Sequence, residues 1–236
     1  MGGIMTNLLQ NGNFTGGAYH YTEWGHQVNE VQLPTGWGLF EYDHGSDFHR
    51  PETKVQVAHQ EPSLTDMVWK VFSTYSRHHC SLGQRVQVAV GTDLRLDAWV
   101  YAWSSDADTW GESEGGSYRV RVGIDPYGCL FSDSPDIQWS HPGHGYKAMS
   151  EYVHLDTKAI AEAGVVTVWL QGDAEWAVKH NDAFWDSASL TAISTPAPGD
   201  PDLERWQAGM EARMTAIEAQ LAGYGTVEAR IVVETH

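Results

Sequence analysis

The chain has 236 residues, 42% of them hydrophobic and only 19% charged, which suffices for a packed core in one or two domains. Acidic residues outnumber basic ones 31 to 14, a formal charge of −17, and this argues against a nucleic-acid backbone or an anionic membrane surface as partner. No apolar run approaches the roughly 18 residues of a membrane span, and 11 Trp, 10 Tyr and 6 Phe argue against disorder.

In chain order, the opening Met1–Asn7 has neither a basic nor an apolar region and is not read as a signal peptide. Period-two alternation, broken by Gly, Pro, Asp, Asn and Ser clusters, predicts strands at 7–14, 37–42, 54–58, 66–74, 81–88, 94–104, 118–124, 148–156, 165–172 and 185–193. Residues 156–163 read as a short helical turn ended by Gly164. The expected fold is all-β, a jelly-roll β-sandwich of two antiparallel sheets over residues 1–194. Residues 195–202, with three prolines, read as a stiff linker.

The period then changes. Leu203, Met210 and Ile217 repeat every seven residues, and Met214 and Leu221 form the adjoining stripe, which predicts an amphipathic helix over 203–223. Such a stripe docks on the sandwich, on another protein or on copies of itself. The stiff linker favours self-association, and Leu beside Ile on the seam favours a trimer. Residues 224–236 read as a final strand or tail. Cys80 and Cys129 carry no metal or redox spacing and read as buried thiols or a single bridge.

Side-chain alternation singles out candidate ligand-binding residues. In the strand around 96–104, Leu96, Ala98, Val100 and Ala102 suit a core, while Asp97, Trp99, Tyr101 and Trp103 face the other way. Arg119 and Arg121 oppose the aliphatic residues of the next strand, as Trp169 and Gln171 do theirs. If these strands share one sheet, its outer face presents Trp99, Tyr101, Trp103, Arg119, Arg121, Trp169 and Gln171. Aromatic rings stack on the apolar face of a pyranose, and planar polar groups bind its hydroxyls. The competing reading is that loops cover this face as a second core. Trp24, Trp110, Trp139, Trp176, Tyr19, Tyr21 and Tyr146 form a second set, on loops.

Catalytic motifs are absent. Asp106, Asp108, Glu112 and Glu114 crowd one polar segment and read as a solvated acidic loop; a glycosidase would need two of them facing one cleft. His78-His79 and His141/His144 lack a third metal ligand. A structural calcium has better-suited donors in Asn11 and Asn13 near the start with Asp182 or Asp186 near the end; the plain reading is that Asn and Gly only make a turn.

Asn7-Leu-Leu-Gln-Asn-Gly-Asn-Phe14, followed by Gly36-Trp37, resembles the opening of the galactose-binding-domain-like carbohydrate-binding modules. Gly83–Val88, Leu94–Trp103 and the closing His180-Asn-Asp-Ala-Phe-Trp-Asp-Ser-Ala-Ser-Leu190 are similar to their middle and last strands. The resemblance implies a jelly roll that binds glycans without cleaving them, with structural calcium held by Asp186 among others. Thr15 and Ser187 depart from the family's acidic positions. The expectation is a non-catalytic binder of cell-surface polysaccharide, made multivalent by the C-terminal helix. The lack of a signal peptide and the short stalk suggest a bacteriophage virion surface, with other virion proteins as further partners. The alternatives are a purely structural decoration protein and, third, a glycoside hydrolase.

Overall fold

Strands here arise where aliphatic residues recur at every second position, so that one face is apolar throughout. The computed structural model describes residues 6–43, 48–58, 67–110, 112, 114–140, 152–194 and 215. Two compact units divide the chain, Met1–Thr195 and Pro196–His236. In the second, only Thr215 is described; it is helical and exposed. The linker, the oligomerisation stripe of Leu203, Met210, Met214, Ile217 and Leu221, and the final strand therefore lie outside the described residues, as do Tyr146, His141 and His144.

Twelve strands build the first unit: β1 Ala18–Glu23, β2 His26–Pro34, β3 Leu39–Tyr42, β4 Glu52–Val57, β5 Met67–Ser73, β6 His78–Gln87, β7 Asp93–Ser105, β8 Tyr118–Asp125, β9 Gln138–Trp139, β10 Val153–Ile160, β11 Val165–Ala174 and β12 His180–Ser194. They form a seven-stranded sheet, β1-β2-β4-β5-β12-β7-β10, and a five-stranded one, β3-β6-β11-β8-β9. The pairings β5·β12, β6·β11, β7·β10 and β8·β9 are all antiparallel and nest inside one another. A long ribbon of paired strands, folded over so that successive strands alternate between sheets, is a jelly roll. The sheets are not wholly antiparallel: β2 meets β4 in parallel, Val31 opposite Thr53.

The core lies between the sheets. Leu94, Leu96, Ala98, Val100 and Ala102 of β7 meet Tyr118, Val120, Val122 and Ile124 of β8 and Val166, Val168 and Leu170 of β11, all essentially without exposure. One end of the sandwich carries the 74–77, 106–117 and 175–179 connections. Buried polar groups sit beneath it. The Ser73 hydroxyl lies 2.8 Å from the Ser76 carbonyl and 2.7 Å from His78 Nδ1. Its single proton goes to the carbonyl, so Nδ1–H donates to the hydroxyl and Nε2 accepts from the Tyr118 hydroxyl at 2.6 Å. Ser104 donates to Asn181, whose amide reaches the carbonyls of Ser76 and Trp176.

Three local expectations change. Residues 7–14 form a turn rather than a strand, because Asn7 Oδ1 accepts from the amides of Leu9 and Leu190 and both Asn11 and Phe14 adopt positive φ. The expected helical turn at 156–163 is the end of β10 and its exit, paired residue for residue with β7 from Asp156 opposite Asp97 to Ile160 opposite Asp93. Sheet pairing overrides the helix propensity of Lys158 and Ala159. Residues 18–34 form a hairpin that alternation does not reveal, since no residue of β1 is buried and neither of its faces is apolar. It turns at Trp24-Gly25, both at positive φ.

Candidate functional site

The alternation that fills the core leaves the other face of each sheet outward. On β7 this places Arg95, Asp97, Trp99, Tyr101 and Trp103 on the outer face of the seven-stranded sheet. β12 brings His180, Asp182, Phe184 and Asp186 into register with Ser105, Trp103, Tyr101 and Trp99, and β10 sets His154 opposite Trp99. Arg119, Arg121, Trp169 and Gln171 belong to β8 and β11, hence to the other sheet. The predicted group of seven is therefore split between two opposite faces. The reason is the nested strand order, which puts sequential strands in different sheets.

On the five-stranded sheet these residues are engaged with one another. Arg121 donates to the Gln171 carbonyl oxygen and lies 3.9 Å from the centre of the Trp139 ring. Gln171 donates onward to Ser81 at 2.9 Å. Arg119 is ion-paired with Asp173. Trp169 is fully buried, its ring over Gly83, where a Cβ would stand 2.7 Å from the ring. Its indole N–H has no partner among the described residues.

On the seven-stranded sheet the upper half of the stripe is covered. Trp110, from the 106–117 connection, stacks on Tyr101 at 5.6 Å and 10° and packs against Trp103 at 4.6 Å. The Trp103 indole N–H donates to the Glu112 carbonyl, and its ring stacks on His180 at 4.1 Å. Tyr101 and Trp103 are left 3% and 4% exposed. Burial pushes the Tyr101 hydroxyl pKa up and that of His180 down. Lys70, over the rings of Phe72 and Phe184, pairs with Asp182 at 2.9 Å; burial raises the Asp182 pKa against the pull of that lysine. The acidic segment serves this cover. Asp106 accepts from the Lys179 amide, Asp108 is ion-paired with the Lys179 side chain, and Glu112 uses its backbone carbonyl.

The lower half stays open. Trp99 is half-buried and its indole packs on the exposed His154 imidazole at 4.9 Å and 35°. Asp97 Oδ1 lies 2.8 Å from both His154 Nε2 and Arg95 Nη2, and Arg95 reaches Asp156 at 3.5 Å. One carboxylate thus fixes a ring and a guanidinium side by side. A groove of ≈ 380 Å³ adjoins them, lined by Arg95, Asp97, Lys158, Thr191 and Ile193. Arg95 Nε is buried without a hydrogen-bond partner among the described residues. His154, Arg95, Lys158 and Thr191 are not among the sequence-derived site residues; the pairings of β10 and β12 with β7 bring His154, Lys158 and Thr191 beside Arg95.

The calcium donors Asn11, Asn13 and Asp186 are already engaged within the protein. Asn11 Oδ1 accepts from the Gly16 amide at 2.6 Å, and its amide donates to the Gly17 and Thr35 carbonyls. Asn13 Oδ1 accepts from Thr15. Asp186 is buried opposite Trp99, accepts from the Ser187 hydroxyl, and its charge helps raise the pKa of Tyr152. Two amides spent on a turn and a carboxylate facing Tyr152 do not fit one ion. Asn11 and Asn13 instead line a shallow cavity with Asn7 and 187–189. Asp182 is committed to Lys70.

No family model matches the chain, and no curated protein matches it. Similar solved structures include the module TmCBM61 in complex with β-1,4-galactotriose, at 12% identity and a TM-score of 0.47, covering 79% of this chain and 99% of that one. A second is the enzymatically active domain of bacteriophage CBA120 tailspike protein 4, at 10% identity and 0.48, covering 79% of this chain but 21% of that one. A third is the CBM22-1 xylan-binding domain of Xyn10C from Paenibacillus barcinonensis, at 9% identity and 0.37, covering 66% and 87%. The neighbours of this jelly roll thus include carbohydrate-binding modules, at similarities that leave ligand and chemistry to the chain's own site.

Proposed function

We propose that the chain binds a glycan, without turning it over, on Trp99 and His154 and in the adjoining groove lined by Asp97, Arg95, Lys158, Thr191 and Ile193. The observation that carries this reading is the joined pair of an accessible indole and a polar row fixed by a single carboxylate. The indole offers a flat surface for the C–H face of a sugar ring, and the row offers charged hydrogen-bond partners for its hydroxyls. A glycan array probed with the full chain tests it. Trp99→Ala is expected to weaken binding at least tenfold, about 1.4 kcal/mol, while Trp169→Phe on the opposite face leaves it unchanged.

The rival is a purely structural role, favoured by the burial of Tyr101 and Trp103 under Trp110. Absence of binding to any glycan selects it. In our reading the helix over 203–223 joins copies of the chain, as a trimer, so that weak single sites add up through avidity, and a virion surface is the setting that such display suits. Sedimentation checks the first part: the full chain runs as a multimer, and Ile217→Asp with Leu221→Asp reduces it to a monomer. A monomeric full chain would remove the multivalent part and leave the groove untouched.

A further inference from the structure

A second cavity lies away from the groove, between the β1 edge of one sheet and the β3 edge of the other. Its volume is ≈ 470 Å³, and rings of Tyr21, Phe40, Tyr42 and Phe131 form its walls. Tyr21 meets Phe40 edge to face at 5.4 Å and 68°, and Tyr42 is tilted against Phe40 at 5.8 Å and 37°. Tyr21, Phe40 and Tyr42 are thus inclined to one another rather than stacked. Phe131 is 62% exposed, a large apolar side chain left in water at the mouth.

The polar groups around these rings are nearly all of one sign. Glu23, Glu41, Asp43 and Asp133 line the cavity, and no lysine or arginine does among the described residues. Two of the carboxylates are held in place. Glu23 Oε1 accepts from the Tyr42 hydroxyl at 2.6 Å while its other oxygen pairs with Arg50 at 3.4 Å, which leaves Glu41, Asp43 and Asp133 as the remaining acids of the lining. Glu41 Oε2 accepts from the Ser132 amide at 2.7 Å, which ties the 126–137 connection to β3. His79, also in the lining, has its pKa lowered by burial and is neutral near pH 7.

Ring faces carry negative potential and attract cations, most strongly when several rings surround a weakly hydrated one. Carboxylates at the rim exclude anions and complete the charge match. A neutral sugar would use the rings and hydrogen-bond the acids, but it gains nothing from their net negative charge, which a cation does. A strongly hydrated metal ion would use the acids but gain nothing from the rings. We infer that this cavity binds a quaternary ammonium group, with Tyr21, Phe40, Tyr42 and Phe131 as the cage and Glu41 and Asp133 as its counter-charges. The site is independent of the glycan groove.

Calorimetric titration of the full chain with choline, beside its uncharged isostere 3,3-dimethylbutan-1-ol, tests the inference. Choline is expected to bind saturably and the isostere at least tenfold more weakly. Phe131→Ala, an exposed position whose loss leaves the core intact, and the pair Glu41→Gln with Asp133→Asn are each expected to weaken choline at least tenfold. Trp99→Ala is expected to leave it unchanged, so that failure here and failure of the glycan reading are separable. No saturable choline binding, equal binding of the isostere, or choline binding unaffected by both cavity variants would overturn it.

Discussion

The two ends of β7 carry the same kind of outward stripe and meet opposite fates. At the Ser105 end, Tyr101 and Trp103 are sealed under Trp110, and the interior beneath holds the Ser73–His78–Tyr118 chain of hydrogen bonds. At the Asp93 end, Trp99, Asp97 and Arg95 stay open beside a groove. What separates them is the segment that follows the strand. The 106–117 connection folds back and supplies Trp110; nothing among the described residues covers the lower half. An aromatic stripe is thus a core or a ligand platform according to its loop, and alternation alone is silent on which.

The largest expected effect is at the sealed end and depends on pH. Burial, helped by neighbouring His79, lowers the His78 pKa from 6.5 to about 3. The unfolded chain therefore binds that proton first as pH falls. The stabilisation from neutral His78 is complete above pH 6.5 and is lost between about 6.5 and 3, on the order of 4–5 kcal/mol at 1.36 kcal/mol per unit. Denaturant unfolding across this range checks it, with His78→Gln expected to flatten the profile. A wild-type stability that stays level from pH 6.5 to 4 would show that the interior tolerates the charge.

Next comes the contrast between two tryptophans on one strand. Trp103→Ala removes a buried ring and is expected to cost about 4 kcal/mol. Trp99→Ala, on the open half, is expected to cost about 1 kcal/mol or less, its effect falling on glycan binding instead. Urea midpoints for the two variants sharpen the comparison, and equal losses would erase it.

Much of the fold is legible in the residues. Val120, Val122 and Ile124 announce β8, and Leu94 to Ala102 announce β7, because small and branched apolar side chains recur at every second position. The 18–34 hairpin is not legible, since His20, Thr22, Gln27, Asn29 and Glu30 give no apolar face to count. Nor is the sheet to which each strand belongs. Arg121 and Trp99 both read as outward, and they are, but on opposite sides of the molecule. β10 contributes Lys158 to the groove and His154 beside it, and these gain meaning only from their register with Arg95 and Trp99.

The smallest effect concerns the hairpin that escaped the pattern. Trp24 stands 94% exposed at φ 52, a conformation that suits Asn in a two-residue turn far better than Trp. Trp24→Asn is expected to stabilise the protein by about 0.5–1 kcal/mol, read as a rise in Tm. A loss of stability would mean that the indole has a packing role.

The nested strand pairing also sets an order of assembly. β8 and β9 are near neighbours in the chain, whereas β5 must wait for β12, and Leu8 bonds to Leu190 across almost the whole unit. A chain emerging residue by residue from the ribosome can zip the inner pairs first, but its outermost pair has no partner until β12 has been made. Until then β5 exposes an apolar, unpaired edge, so that slow maturation and a need for protection from aggregation during synthesis follow directly from the topology.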